Sequence, residues 1–118
     1  MKKGGIKHDS NKPMLSLIPI EFTTQLGKAL TFGCKKYGVH NFRDGLKLSR
    51  LLDATERHLK LEIAGIEKDR DSKLPHWAHA AASLAMYSFI KKWYPKLDDR
   101  YKYTEKQKQQ LEKDMYER

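Results

Sequence analysis

The stretch between Pro75 and Pro95 constrains the fold more than any other part of this chain. Proline suits the first turn of a helix and cannot continue one, so the two residues bracket a helix that runs to about Tyr94. Inside it, Ala78, Ala80, Ala81, Ala82 and Ala85 give a narrow surface that a neighbouring helix can approach closely.

The rest of the chain reads in the same way. Pro19 opens a first helix, and Glu21 complements its dipole. Phe22, Leu26, Ala29, Leu30 and Gly33 follow helical spacing, and Gly38 caps the end. Val39 to Leu48 is a loop with Asp44-Gly45 as its turn signal. Ser49 is the expected N-cap of a second helix, with Leu51, Leu52, Leu59 and Ile63 on its apolar face and Gly65 at its close. Thr104 and Gln107 predict a capping box for a last helix from Glu105 to about Tyr116. Leu111 and Met115 are its clear apolar pair. Strand signals are absent apart from short apolar pieces near the N-terminus.

The expected fold is therefore all-α, a small bundle of about four helices. An N-terminal arm spans 1–18, a helical core 19–94 and a C-terminal polar helix 95–118. Pro13 and Pro19 flank Met14, Leu15, Leu17 and Ile18, which are expected to pack the arm's second half on the body.

With 118 residues the chain has one domain's worth of sequence and a modest core. The longest apolar-rich stretch, Trp77 to Ile90, is interrupted by His79, Ser83 and Ser88, so no membrane span is expected. The lysines at the N-terminus have no apolar run behind them, which argues against a signal peptide. One cysteine, Cys34, excludes an intrachain disulfide and reads as a small core residue. A reducing, cytoplasmic setting is the expectation. Net charge is +9, which suits a polyanionic partner, although solvated lysines alone would also account for it.

The densest chemical cluster is Arg57, His58, Glu62, Glu67, Asp69, Asp71, His76 and His79. His58 and Glu62 lie four apart and His76 and His79 three apart, so each pair shares a helix face. A short acidic loop joins the two helices, which makes them antiparallel neighbours. Two helix faces and an acidic loop can converge on a divalent cation that neutralises phosphate charge. Glu67, Asp69, Asp71 and His76 are the candidate metal ligands, and His58, Glu62 and His79 the candidate catalytic groups. The ordinary alternative is a solvated loop, because Lys68, Arg70 and Lys73 alternate with the acids. A second cluster, Lys35, Lys36, Tyr37, His40, Asn41, Phe42 and Arg43, can hold phosphates and stack a base. Lys12, on a polar turn before Pro13, can reach a phosphate. The His8-Asp9 pair lacks the supporting His and Asp pattern of an HD-type metal site.

Three stretches together carry a resemblance: KPMLSLIP (12–19), LTFGCKKYGVHNF (30–42) and RLLDATERHLKLEIAGIEKDRDSKLPHWAHAAAS (50–83). They resemble the MazZ-like dATP/dGTP diphosphohydrolase domain family of phages, grouped with the all-α nucleoside triphosphate pyrophosphatases related to MazG. The resemblance covers about residues 8–90. It implies hydrolysis of a purine deoxynucleoside triphosphate to a monophosphate and pyrophosphate, with Mg2+ or Mn2+, in the cytoplasm of a bacterial host. Helix pairs this small rarely close a site alone, so a homodimer or higher oligomer sharing its active sites is expected. The resemblance carries over His58, Glu67, Asp69, Asp71, His76 and His79 as the polar constellation. Lys12, Lys35, Lys36, Tyr37 and Asn41 become the nucleotide-facing set, with Arg57 adding positive charge.

The chain departs from the wider pyrophosphatase pattern. His76 and His79 stand where that pattern has E-x-x-D, and no E-x-x-E precedes them. A non-catalytic nucleotide sponge therefore remains open as an alternative function. A DNA-binding accessory role is less favoured, because the lysines are spread along the whole chain.

Overall fold

The computed structural model describes residues 11–117, without the side chains of Tyr37, Phe42 and Asp44. Four helices form its frame: α1 (Ile20–Tyr37), α2 (Leu48–Ile63), α3 (His76–Trp93) and α4 (Glu105–Tyr116). Three short 3-10 turns, Leu15–Leu17, Asn41–Asp44 and Pro95–Leu97, sit between or before them. Among the described residues the only β-type pairing is an isolated bridge between Lys68 and Pro75. The all-α expectation holds.

The helix ends follow from local chemistry. Pro19 and Pro75 precede α1 and α3 as N-caps. Gly38 closes α1 at a φ of 100°, its N–H donating to the Cys34 carbonyl. At the end of α2, Gly65 takes a φ of 86°. Its N–H donates to the Glu62 carbonyl and that of Ile66 to the Leu61 carbonyl, a Schellman closure. Thr104 and Gln107 bond reciprocally at the start of α4.

The start of α2 departs from expectation. Its N-cap position is Lys47, not Ser49, and no side chain caps it locally. Ser49 instead donates through its backbone N–H (2.9 Å) and hydroxyl (2.5 Å) to the carboxylate of Asp99. A residue fifty positions away thus supplies the negative charge that a helix start favours. Local spacing cannot reveal a partner so distant in sequence.

Helix α3 is the centre of the molecule and packs on both α1 and α2. Against α1 it buries Ala78 and Ala82 on Ala29, with Leu26, Leu30, Leu74 and Trp77 around them. Phe22 of α1 stacks on Trp77 at 5.8 Å. Near its other end, Ile90 packs on Leu48 and Leu51 of α2, flanked by Met86, Tyr87, Phe89 and Leu97. The alanines therefore act as the sequence suggests: they let two backbones come close.

Several apolar expectations fail. Met14, Leu15, Leu17 and Ile18 are exposed, so the described part of the arm does not pack on the body. Leu59 is exposed too, and Ile63, expected on the inner face of α2, is 83% exposed. Helix α4 has no substantial packing partner among the described residues, and its Met115 is 81% exposed. The radius of gyration is 18.3 Å, whereas a compact chain of this length has about 13 Å. No helix among the described residues is long and apolar enough to cross a membrane.

Candidate metal centre

The C-terminal turns of α2 and the first turns of α3 face each other across the 64–75 connection. That connection is pinned by its own backbone. The Asp69 N–H donates to the Leu74 carbonyl, Lys73 N–H to the Asp69 carbonyl, and His76 N–H to the Glu67 carbonyl, each at 2.8 Å. Lys73 closes the turn with a left-handed φ of 65°. The Asp69 carboxylate oxygen Oδ2 accepts from the backbone N–H groups of Asp71 and Ser72 and from the Ser72 hydroxyl. This is an Asx-type turn, and it aims one carboxylate at the helix pair.

Three imidazoles meet that carboxylate. His58 Nδ1 and His76 Nδ1 lie 2.8 Å apart. The rings of His58 and His79 stack with centroids 4.9 Å apart. His79 Nε2 lies 2.7 Å from Ser72 Oγ and 3.9 Å from Asp69 Oδ2. The Ser72 hydroxyl donates to Asp69, so His79 Nε2 carries a proton toward Ser72 Oγ and its Nδ1 keeps a lone pair. Phe32 of α1 sets its ring edge-on to His79 at 6.0 Å.

One ligand atom each from His58, Asp69 and His76 falls within 4.8 Å of the others. Two imidazole nitrogens and a carboxylate oxygen converging from two helices and a loop fit a divalent cation. His76 is buried and the other two half-buried, so the donors are shielded from bulk water. The donor set is richer in nitrogen than an all-oxygen magnesium site.

The electrostatics keep two of these imidazoles neutral. Burial is the main reason that His58 titrates below the ordinary histidine value of 6.5, with His79 and His76 adding to it and Asp69 opposing. His79 is also lowered, by burial first and by His76, against the pull of Asp69. For Asp69, burial pushes the carboxyl up, but the hydrogen bonds from Ser72, the attraction of His79 once acid protonates it, and the Asp71 N–H outweigh it and hold it below 3.8. Neutral imidazole and ionised carboxylate are the forms that bind a metal.

The same shifts predict how stability depends on pH. Between their folded values and 6.5, His58 and His79 bind more protons in the unfolded chain than in the folded one. Lowering the pH through that window therefore destabilises the fold, and Asp69 extends the loss below 3.8. In chelator, the melting temperature is expected to be flat above about pH 7 and to fall progressively below 6.5. His58→Gln should flatten the first part of that fall, as read by thermal scans at half-unit pH steps.

Not every expected residue joins the cluster. Glu67 and Asp71 have exposed side chains and contribute backbone groups to the turn, not ligand atoms to the convergent set. Glu62 accepts from the Trp77 N–H at 3.2 Å and so caps α3 from the neighbouring helix. Lys12, Lys36, Asn41 and Arg57 are exposed. Lys35 lines an open groove along α1. The Tyr37 side chain and the His8-Asp9 pair lie outside the described residues. Sequence reasoning missed Ser72, which ties Asp69 to His79. The available signal was an Asp followed three residues later by Ser, a common turn composition.

Comparisons with known proteins identify the family of the chain. A family profile described as dATP/dGTP diphosphohydrolase, N-terminal, matches residues 2–100. This chain belongs to that family. A protein of Salmonella phage PMBT28 named dATP/dGTP diphosphohydrolase is 43% identical over 97 residues, which is 81% of this chain and 33% of the relative. The chain thus spans about a third of the length of the relative it matches. No solved structure matches the chain. The family's matched region contains all of His58, Asp69, Ser72, His76 and His79.

Proposed function

We propose that this chain hydrolyses a purine deoxynucleoside triphosphate, dATP- or dGTP-like, to the monophosphate and pyrophosphate. The observation that carries this reading is the convergence of His58, Asp69 and His76 beside the His79–Ser72 pair. Family membership and the name of the phage relative support it.

His58, Asp69 and His76 would hold a divalent cation, manganese before magnesium given the two imidazoles. Such an ion supplies charge neutralisation on the phosphates and a more acidic water. The protein's own part is positional. Ser72 and Asp69 fix the tautomer of His79, so its Nδ1 can take a proton from the attacking water. Asp69, at 3.9 Å, then stabilises the imidazolium that forms. Oxygen from that water bonds to the α-phosphorus. The bond to the bridging oxygen breaks, and its electron pair leaves with pyrophosphate. Hydrolysis of dATP, dGTP and dUTP with manganese, followed as monophosphate by chromatography, tests this. Purine monophosphate is the expected product, and no turnover with any of them would overturn the reading.

A second reading keeps binding without turnover. It is favoured by one observation: the convergent set contains a single carboxylate. A tightly bound nucleotide that is recovered intact after denaturation would support it over hydrolysis.

The assembly is a homodimer or higher homo-oligomer. The extended shape, the bare α4 and the exposed Ile20, Ile63 and Met115 support this, because a stable monomer rarely leaves so much apolar surface uncovered. Light scattering after gel filtration is expected to give at least twice 13.8 kDa. A monomer mass at tens of micromolar protein would overturn it.

A further inference from the structure

An open groove of about 490 Å³ runs along α1 and ends at the metal-site loop. Its walls include Gly27, Lys28, Thr31, Phe32 and Lys35 of α1 and Ser72 of the connection. Two of these residues also belong to the cluster described above. Ser72 bonds to both Asp69 and His79, and Phe32 touches His79 edge-on. The groove and the hydrolytic cluster therefore share a wall.

The charge along it is one-sided. Lys28 and Lys35 are seven apart, two helical turns on one face, about 10 Å along the axis. Neither makes an ion pair with any described residue, and no acid lines the groove. The Thr31 hydroxyl between them donates to the Gly27 carbonyl at 2.8 Å, which leaves the ammonium groups as the strong donors. The space over Gly27 is open: an added Cβ there would meet nothing within 4 Å. Two unpaired, flexible ammonium groups over an acid-free floor suit a multiply charged anion that spans them.

We propose that this groove seats the β- and γ-phosphates, with Lys28 and Lys35 clamping the pyrophosphate leaving group from its two ends. The proposal rests on reading the His58–Asp69–His76 cluster as the hydrolytic centre. The charge that these lysines offset is the electron pair carried away from the broken bridging bond, so they act on the departing half of the substrate. Lys28 is the new assignment.

Inorganic pyrophosphate is the probe. Titration calorimetry of the full chain in chelator, at constant ionic strength, reads its binding without metal. Lys28→Ala and Lys35→Ala are each expected to weaken it by about tenfold or more, and Lys28→Arg to restore most of it. Gly27→Leu removes no charge but fills the groove, and should weaken pyrophosphate to a similar extent. Lys113→Ala, on α4, removes the same charge at a distance and should leave binding unchanged. Circular dichroism and thermal scans confirm that each variant is folded. Absence of pyrophosphate binding to the wild type, or equal binding by all variants, would overturn the proposal. Deoxynucleotide hydrolysis is measured on the same samples. Failed hydrolysis with an intact pyrophosphate site removes the enzymatic reading alone, and hydrolysis with a Lys28→Ala variant of unchanged KM removes the clamp alone.

Discussion

His76→Asn is expected to lower manganese affinity by at least about a hundredfold, and deoxynucleotide hydrolysis with it. Loss of outer partners of a metal ligand typically costs about 10–100-fold, and His76 is assigned as a ligand itself. Asparagine can still bond to His58 in the place of the 2.8 Å imidazole contact, so the buried position keeps a polar partner. An amide is nevertheless a poor substitute for an imidazole nitrogen. Calorimetric titration with manganese and the chromatographic assay read the two effects separately. Unchanged metal affinity would place the ion elsewhere. Lost hydrolysis with retained metal binding would make His76 a positioning residue. The parallel change Asp71→Asn should do little to either readout, since that side chain is exposed and its backbone N–H supplies the turn.

Ile90→Ala is expected to destabilise the fold by about 2–5 kcal/mol. Ile90 is 0% exposed and joins α3 to Leu48 and Leu51 of α2. Among the described residues, Leu48 is the other large side chain buried so fully. With so small a core, total stability lies toward the low end of the usual range, about 5 kcal/mol. The expected loss is thus a large fraction of the whole, and the melting temperature should fall by roughly 10 °C or more. Denaturant titration gives the value directly. A change below about 1 kcal/mol would mean that this junction contributes little, and that assembly contacts hold α2 and α3 together instead.

How much of this was legible depends on the range of the interaction concerned. Helix boundaries at Pro19, Gly38, Gly65, Pro75 and Thr104 were readable because capping is a matter of a few residues. The inner face of α3 was readable from its alanines. Ser49 misled because its partner, Asp99, is distant in sequence. The arm and Ile63 misled because apolar spacing marks a face to be covered, not what covers it. Among the candidate ligands, acidity alone could not rank Glu67, Asp69 and Asp71. The turn hydrogen bonds single out Asp69.

The amino-acid order alone determined that this chain is helical, where its main helices end, and that two histidine-bearing helix faces flank an acidic turn. Those features depend on backbone sterics and spacing within a few residues. Only the tertiary structure decided that His58 meets His76, that Ser72 ties Asp69 to His79, and that Lys28 and Lys35 share a groove with them. The reason is that a site needs atoms from separate elements within a few ångströms, and the approach of α1 and α2 to α3 sets those distances.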